Sequence, residues 1–230
     1  MIMSRERKFV FIEVPKTGTS AVSKRLLELD PTLERDVLYL PDGREKQACA
    51  THIAASEVRQ ALGHTAKEYC FIAFLRDPEE QVMSKYYFYR NGRVKEKILE
   101  GSATFGRVIR HMSALFLPIQ FWILVYPFKG SAFFVEDKQG ALCVDVVGNF
   151  CRLGADFRDI FSQFGYREDE LFLKKTNVSS YDRHRGSLLR WFLGLSLRIH
   201  APRDQKLYRR VLSTGRPFYN TTDYRPASVD

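Results

Sequence analysis

Cysteine is scarce and unpatterned in this chain. The four residues, at 49, 70, 143 and 151, form no C-x-x-C pair and no Cys/His spacing suited to zinc. That excludes a disulfide framework and a zinc ribbon, so no metal is expected, and buried reduced thiols in a reducing compartment are the reading left. Long apolar runs are missing too. The longest, residues 114–127 (ALFLPIQFWILVYP), is too short for a bilayer and is interrupted by Pro118 and Gln120. It reads as a buried segment, with contact to a membrane surface as the alternative. Residues 1–8 lack the apolar core of a signal peptide, so a cytoplasmic protein without stable membrane insertion is expected. No repeat, low-complexity tract or linker interrupts the chain, which predicts one domain over residues 1–230.

What is present is aromatic and basic. Eighteen Phe and 11 Tyr in 230 residues are too many for a disordered chain. Thirty-six Lys and Arg against 27 Asp and Glu leave a net charge of +9, which points to anionic partners. The excess gathers in the C-terminal third, at Arg183, Arg185, Arg190, Arg198, Arg203, Lys206, Arg209 and Arg210. Such a run is either a solvated face or a groove that steers anions. Nucleic acid is not expected as a partner, because no recognised nucleic-acid-binding motif accompanies the charge.

Strand and helix patterns alternate. Residues 9–14 (FVFIEV) read as a buried strand, 15–19 as a loop and 20–29 as a helix, the first half of a nucleotide-binding α/β unit. Residues 37–49 read as a hairpin turning at Pro41-Asp42-Gly43, and residues 54–62 as a short helix. Residues 69–75 (YCFIAFL) form a second strand with the continuous apolar character of a central parallel one, and a helix follows with Pro78 in its first turn. A third strand is expected at 132–136, and further helices near 102–113, 141–152, 186–199 and 203–213. This order predicts an α/β fold with a central parallel sheet covered on both faces by helices.

Two loops carry the chemistry. Pro15-Lys16-Thr17-Gly18-Thr19-Ser20 lies between strand end and helix start, where backbone N–H groups and the helix dipole favour phosphate. Gly18 permits close backbone approach, the hydroxyls of Thr17, Thr19 and Ser20 are donors, and Lys16 is a cation. In a Walker A loop Lys follows the glycines, whereas here it precedes the only one, so this is a phosphate loop of another kind. The second loop places Arg76 at the end of the second strand and Ser84 about two turns along the next helix. Bidentate and hydroxyl hydrogen bonds from the two suit a second phosphate group. The plainer alternative is Arg76-Asp77 as a salt-bridged helix start with Tyr86-Tyr87-Phe88 as core.

Together these residues resemble the PAPS-dependent sulfotransferases. Strand-P-K-T-G-T-S-helix is similar to their 5′-phosphosulfate loop. F-L-R-D-P-x-x-x-x-x-S-x-Y-Y is similar to their 3′-phosphate motif, R-D-P-x-x-R-x-x-S-x-Y-Y. The carbohydrate branch, notably heparan sulfate 2-O-sulfotransferase, has a His in the place of His52. The resemblance implies a P-loop-like sulfotransferase fold that transfers a sulfuryl group from PAPS to a saccharide or polysaccharide hydroxyl, releasing PAP. It implies that Lys16 stabilises the leaving phosphate, and that Pro15 through Ser20 cradle the 5′-phosphate. Arg76 and Ser84 would hold the 3′-phosphate, His52 would act as base, and Lys174 or Lys175 would close a late loop over the nucleotide.

The chain also departs from that pattern. Ala50 stands where the 2-O enzymes have a second His, and Gln81 where the motif has Arg. Glu13 is an alternative base, or a strand residue with a structural partner. Two other functions remain: a nucleotide-dependent phosphotransferase, and a non-catalytic binder of nucleotide or polyanion.

Overall fold

The computed structural model describes residues 1–39, 45–47, 52–91, 105–125, 129–174, 187–212 and 217–220. The chain divides into two compact units. The first comprises Met1–Arg76, Ser131–Thr176 and Leu207–Asp230, and the second Asp77–Gly130 and Asn177–Lys206.

Short apolar strands organise the first unit. β1 (Ile2–Ser4), β2 (Phe9–Ile12), β3 (Glu34–Arg35), β6 (Cys70–Leu75), β7 (Val146–Asn149) and β8 (Phe218–Tyr219) form a six-stranded sheet in the order β3-β1-β2-β6-β7-β8. β2, β6 and β7 are parallel, with Phe11 opposite Ile72 and Ile72 opposite Val146. β1 and β3 extend the sheet antiparallel on one side, as β8 does on the other. The sheet is therefore mixed, not wholly parallel as expected. The four residues joining β1 to β2 are too few for a crossover and can only return the chain antiparallel. A separate ribbon, β4 (Val37–Tyr39) with β5 (Glu45–Gln47), is the expected hairpin. Its turn at 41–43 lies outside the described residues, as do Cys49 and Ala50.

Strand periodicity sorts the core into two layers. Phe9, Phe11, Ile72 and Phe74 point to one face and pack with α1 (Thr19–Leu29) and α7 (Leu153–Phe161). Val10, Ile12, Phe71 and Ala73 point to the other, against α2 (Ala55–Leu62), α6 (Ser131–Val135) and the second half of α9 (Pro202–Leu212). Helices thus cover both faces of the sheet.

Two expected elements change type. Residues 132–136 read as a strand from Phe133-Phe134-Val135, yet they lie in helix α6 and the isolated bridge position at Glu136. Burial of Ala132, Phe134 and Val135 on one helical face overrides their β propensity. The third parallel strand is instead β7, inside the stretch 141–152 expected to be helical. Gly148 explains its place: the Phe74 ring lies across it, so that a Cβ there would stand 2.3 Å from Phe74 Cε1. The start of β7 is fixed by Asp145. Its carboxylate accepts from the Phe71 N–H at 2.8 Å and from Arg59 Nη2 at 2.7 Å, while the Arg59 guanidinium covers the Phe71 ring.

The second unit contains α3 (Pro78–Asn91), α4 (Phe105–Phe116), α5 (Ile119–Val125) and α8 (Ser187–His200). Asp77 starts α3, accepting at one carboxylate oxygen from the N–H groups of Glu79 at 2.8 Å and Glu80 at 3.1 Å. Asp and Pro in the R-D-P segment are thus the cap and first residue of a helix. Val82 and Tyr86 of α3 pack with Trp122 of α5 and Leu193 and Leu197 of α8. Within the run 114–127 the described residues 114–124 are buried along only one side: Trp122 is fully enclosed, whereas Phe116 and Phe121 are exposed. Among the described residues no helix is long and apolar enough to cross a membrane.

Replacing Gly148 with Ala forces Phe74 out of place in a filled core. The expected loss is about 1–3 kcal/mol. It is read as a fall in the urea midpoint at unchanged slope.

Candidate functional site

Three parallel neighbours end at one edge of the sheet. β2 leads into the loop at 15–18, β6 ends on Leu75 and delivers Arg76, and β7 ends on Asn149 and delivers Phe150. In open α/β sheets this carboxyl edge is where ligands bind.

The loop is held in an unusual backbone form. Lys16 has φ +67° and Gly18 φ +82°, with Thr17 between them at negative φ. Alternation of hand in this way turns successive N–H groups toward one concavity, a shape that receives anions. Gly18 also meets a space limit, since a Cβ would come within 2.5 Å of Leu153 Cδ2 and 3.1 Å of Phe150. The Thr17 hydroxyl donates to the Val14 carbonyl at 2.9 Å and closes the turn. Its proton is committed to the fold, unlike the hydroxyl donor to a ligand that the sequence suggests. Helix α1 starts directly afterwards with Gly18 as its N-cap, no side-chain cap and no acidic residue in the first turn. The positive end of its dipole is therefore not offset locally. Thr19 is buried there and Ser20 is exposed.

Arg76 closes the other side. Its guanidinium is 6% exposed, donates to the Lys16 carbonyl at 3.3 Å and lies 4.2 Å above the Phe150 ring. The aromatic face and the carbonyl hold the planar group in one orientation. The two cations are close enough to feel each other. Burial, and then the Arg76 charge, bring the Lys16 pKa down to about 8. Partial burial of two like charges is costly, and an anion bound beside them offsets that cost.

His52 is tied to the same strand end. Its Nδ1 donates to the backbone carbonyl of Glu13 at 2.6 Å. A carbonyl only accepts, so Nδ1 carries the proton and the neutral ring has its lone pair on Nε2, the tautomer a proton acceptor needs. The Glu13 side chain points elsewhere. It is 1% exposed and accepts from Ser23 Oγ at 2.6 Å, from Arg35 Nη2 at 2.7 Å and from the Met1 ammonium at 2.8 Å. Burial raises its pKa, but the ammonium, Ser23 and Arg35 outweigh that and hold the carboxyl below its ordinary value. Such a carboxylate is a structural anion.

No family model, curated protein or solved structure matches this chain at a significant level. The site's own residues carry the functional case.

The structure brings Lys16, Thr17, Gly18 and Arg76 together, with His52 bonded three residues before Lys16. Pro15 is partly buried at the loop entrance. Ser84 is buried on α3, in the second unit. Lys174 is exposed in the coil after Leu171, and Lys175 lies outside the described residues. Phe150 is not among the expected site residues, because the strand before it reads as helix; the available signal is Val146-Val147, a β-branched pair ahead of Gly148-Asn149. The strand it follows is itself anchored, as the Asn149 N–H donates to the buried Asp156 carboxylate at 2.7 Å.

The Lys16 geometry sets a pH dependence. A folded pKa of about 8 lies below the ordinary 10.5, so the charged ammonium costs folding free energy below about pH 8. That cost is relieved as pH rises from about 8 to 10.5. Lys16→Met is expected to raise the melting temperature of the ligand-free protein at pH 7. A bound anion favours the charged form, so affinity for inorganic sulfate falls as pH rises through about 8 in the wild type. It stays flat in Lys16→Met, and thermal-shift titrations at several pH values check both.

Proposed function

We propose that this protein is a PAPS-dependent sulfotransferase that transfers a sulfuryl group to a saccharide hydroxyl and releases PAP. The observation that carries the reading is the buried Arg76 guanidinium fixed against the carbonyl of Lys16 at the rim of a left-handed, glycine-bearing loop. Two cations and a set of converging N–H groups suit a ligand with more than one strongly anionic group, as PAPS has at its 5′ and 3′ ends. Lys preceding the glycine separates the loop from the nucleoside-triphosphate kind.

In the proposed reaction the acceptor oxygen attacks sulfur in line with the bond to the 5′-phosphate. The new O–S bond forms as the old S–O bond breaks, through a loose transition state like that of phosphoryl transfer. Charge grows on the departing phosphate oxygen, where Lys16 and the loop N–H groups stabilise it. The acceptor proton passes to Nε2 of His52, whose Nδ1–H remains on the Glu13 carbonyl and stabilises the imidazolium. Arg76 holds the 3′-phosphate. The saccharide acceptor rests on the likeness of His52 to the base of the carbohydrate branch.

A second reading, a binder that holds the nucleotide without turning it over, is favoured by Gln81. That residue is 1% exposed where the resembled motif has Arg.

Calorimetric titration with PAP and with 5′-AMP tests the cofactor. Tight PAP binding, weak AMP binding and loss of that preference in Arg76→Ala are expected. Equal or absent binding of the two would overturn the PAPS assignment and leave a phosphotransferase or a polyanion binder. His52→Ala is expected to lower sulfuryl transfer from PAPS to a panel of saccharides by about 10²–10⁴-fold with PAP affinity intact. PAP binding by the wild type without turnover on any acceptor would favour the binder.

A further inference from the structure

Three helices of the second unit carry two apolar faces each. The inward faces are accounted for: Ala114 of α4, Trp122 and Ile123 of α5, and Leu193 and Leu197 of α8 pack in the unit's core. The outward faces have no such packing among the described residues. On α4, Phe105, Ile109, Met112 and Phe116 recur at the four- and three-residue steps of a single helical stripe, and Phe105 is 80% exposed. On α8, Trp191, Leu195 and Ile199 repeat the pattern at four-residue steps, with Trp191 61% exposed. Phe121 and Leu124 supply the stripe on α5, which packs between the other two. An amphipathic helix of a water-facing bundle places polar residues there. Exposed apolar stripes of this length mark interaction sites.

The charge on these helices selects the occupant. None of the three contains an acidic residue. Their sequences include four arginines; among the described side chains Arg198 is exposed beside Ile199, Arg110 donates to the Tyr89 hydroxyl at 3.1 Å and His111 is buried. Bulky aliphatic and aromatic side chains combined with arginines and no carboxylate match an interface that is apolar below and anionic at its surface. With 12, 7 and 14 residues the helices are too short to span a bilayer and would lie in its surface plane. We propose that α4, α5 and α8 dock the protein on an anionic lipid bilayer through these outward stripes. This inference is independent of the nucleotide site and stands or falls without it.

The chain provides its own reporter. It has two Trp residues, Trp122 enclosed and Trp191 exposed, so a change of emission on docking comes from Trp191. The full chain is mixed, without nucleotide, with phosphatidylcholine vesicles and with vesicles that also contain phosphatidylserine. Co-sedimentation and a blue shift are expected with the second kind, weak binding with the first, and release by added salt. Trp191→Phe should remove the shift while the protein still pellets. Arg198→Glu should weaken binding by about fivefold for each unit of charge changed. Phe105→Ser combined with Phe116→Ser should abolish pelleting while circular dichroism stays unchanged, since both side chains are exposed.

No pelleting of the wild type, equal pelleting on the two vesicle types, or unchanged pelleting of the double Ser variant would overturn the proposal. Concentration-dependent self-association that shifts Trp191 emission without lipid, and that the double Ser variant loses, would overturn it in favour of a second copy of the chain. The wild-type measurements stand even if a variant fails to fold.

Discussion

Parallel pairing of β2, β6 and β7 is the constraint on which the first unit depends. Parallel strands deliver their chain ends to the same edge, so one set of backbone ladders places Lys16, Arg76 and Phe150 together although 134 positions separate the first from the last. The same alternation that buries Phe11 and Phe74 on one face and Val10 and Ala73 on the other fixes the register. A one-residue slip would invert both layers. Position at the edge therefore follows from core packing and needs no contribution from the site residues themselves.

At that edge stability and ligand readiness oppose each other. Lys16 adopts a left-handed backbone conformation and shares its surroundings with Arg76. Both features cost folding free energy, and the layers beneath supply it. The return is preorganisation: the Arg76 plane is set by Phe150 and by the Lys16 carbonyl before any anion arrives.

Legibility in the sequence followed locality. The 15–20 loop, the R-D-P helix start and helices α1, α2, α3 and α9 are set by neighbours in the chain, through glycine, capping residues and helical spacing. These could be read directly. β7 could not, because four residues with a glycine among them are a strand only by pairing with β6, and Gly148 makes sense only against the Phe74 ring. Helix α6 reads as a strand for the complementary reason, its aromatic residues being recruited to a helical face by the core. The flanking antiparallel strands also escaped notice. β1 and β3 have three and two residues, too few for a pattern to declare itself.

The bond from His52 to Glu13 has a consequence for how such a site would drift over evolutionary time. The acceptor is a main-chain carbonyl, and every residue type supplies one. The tautomer of His52 therefore leaves no trace in the choice of amino acid at position 13. What that position would record is the separate demand of the Met1 ammonium, Ser23 and Arg35 for a buried anion. A lineage that lost those three partners could exchange Glu13 freely and still hand its imidazole the same proton arrangement, so variation there would report on the scaffold and stay silent about the chemistry.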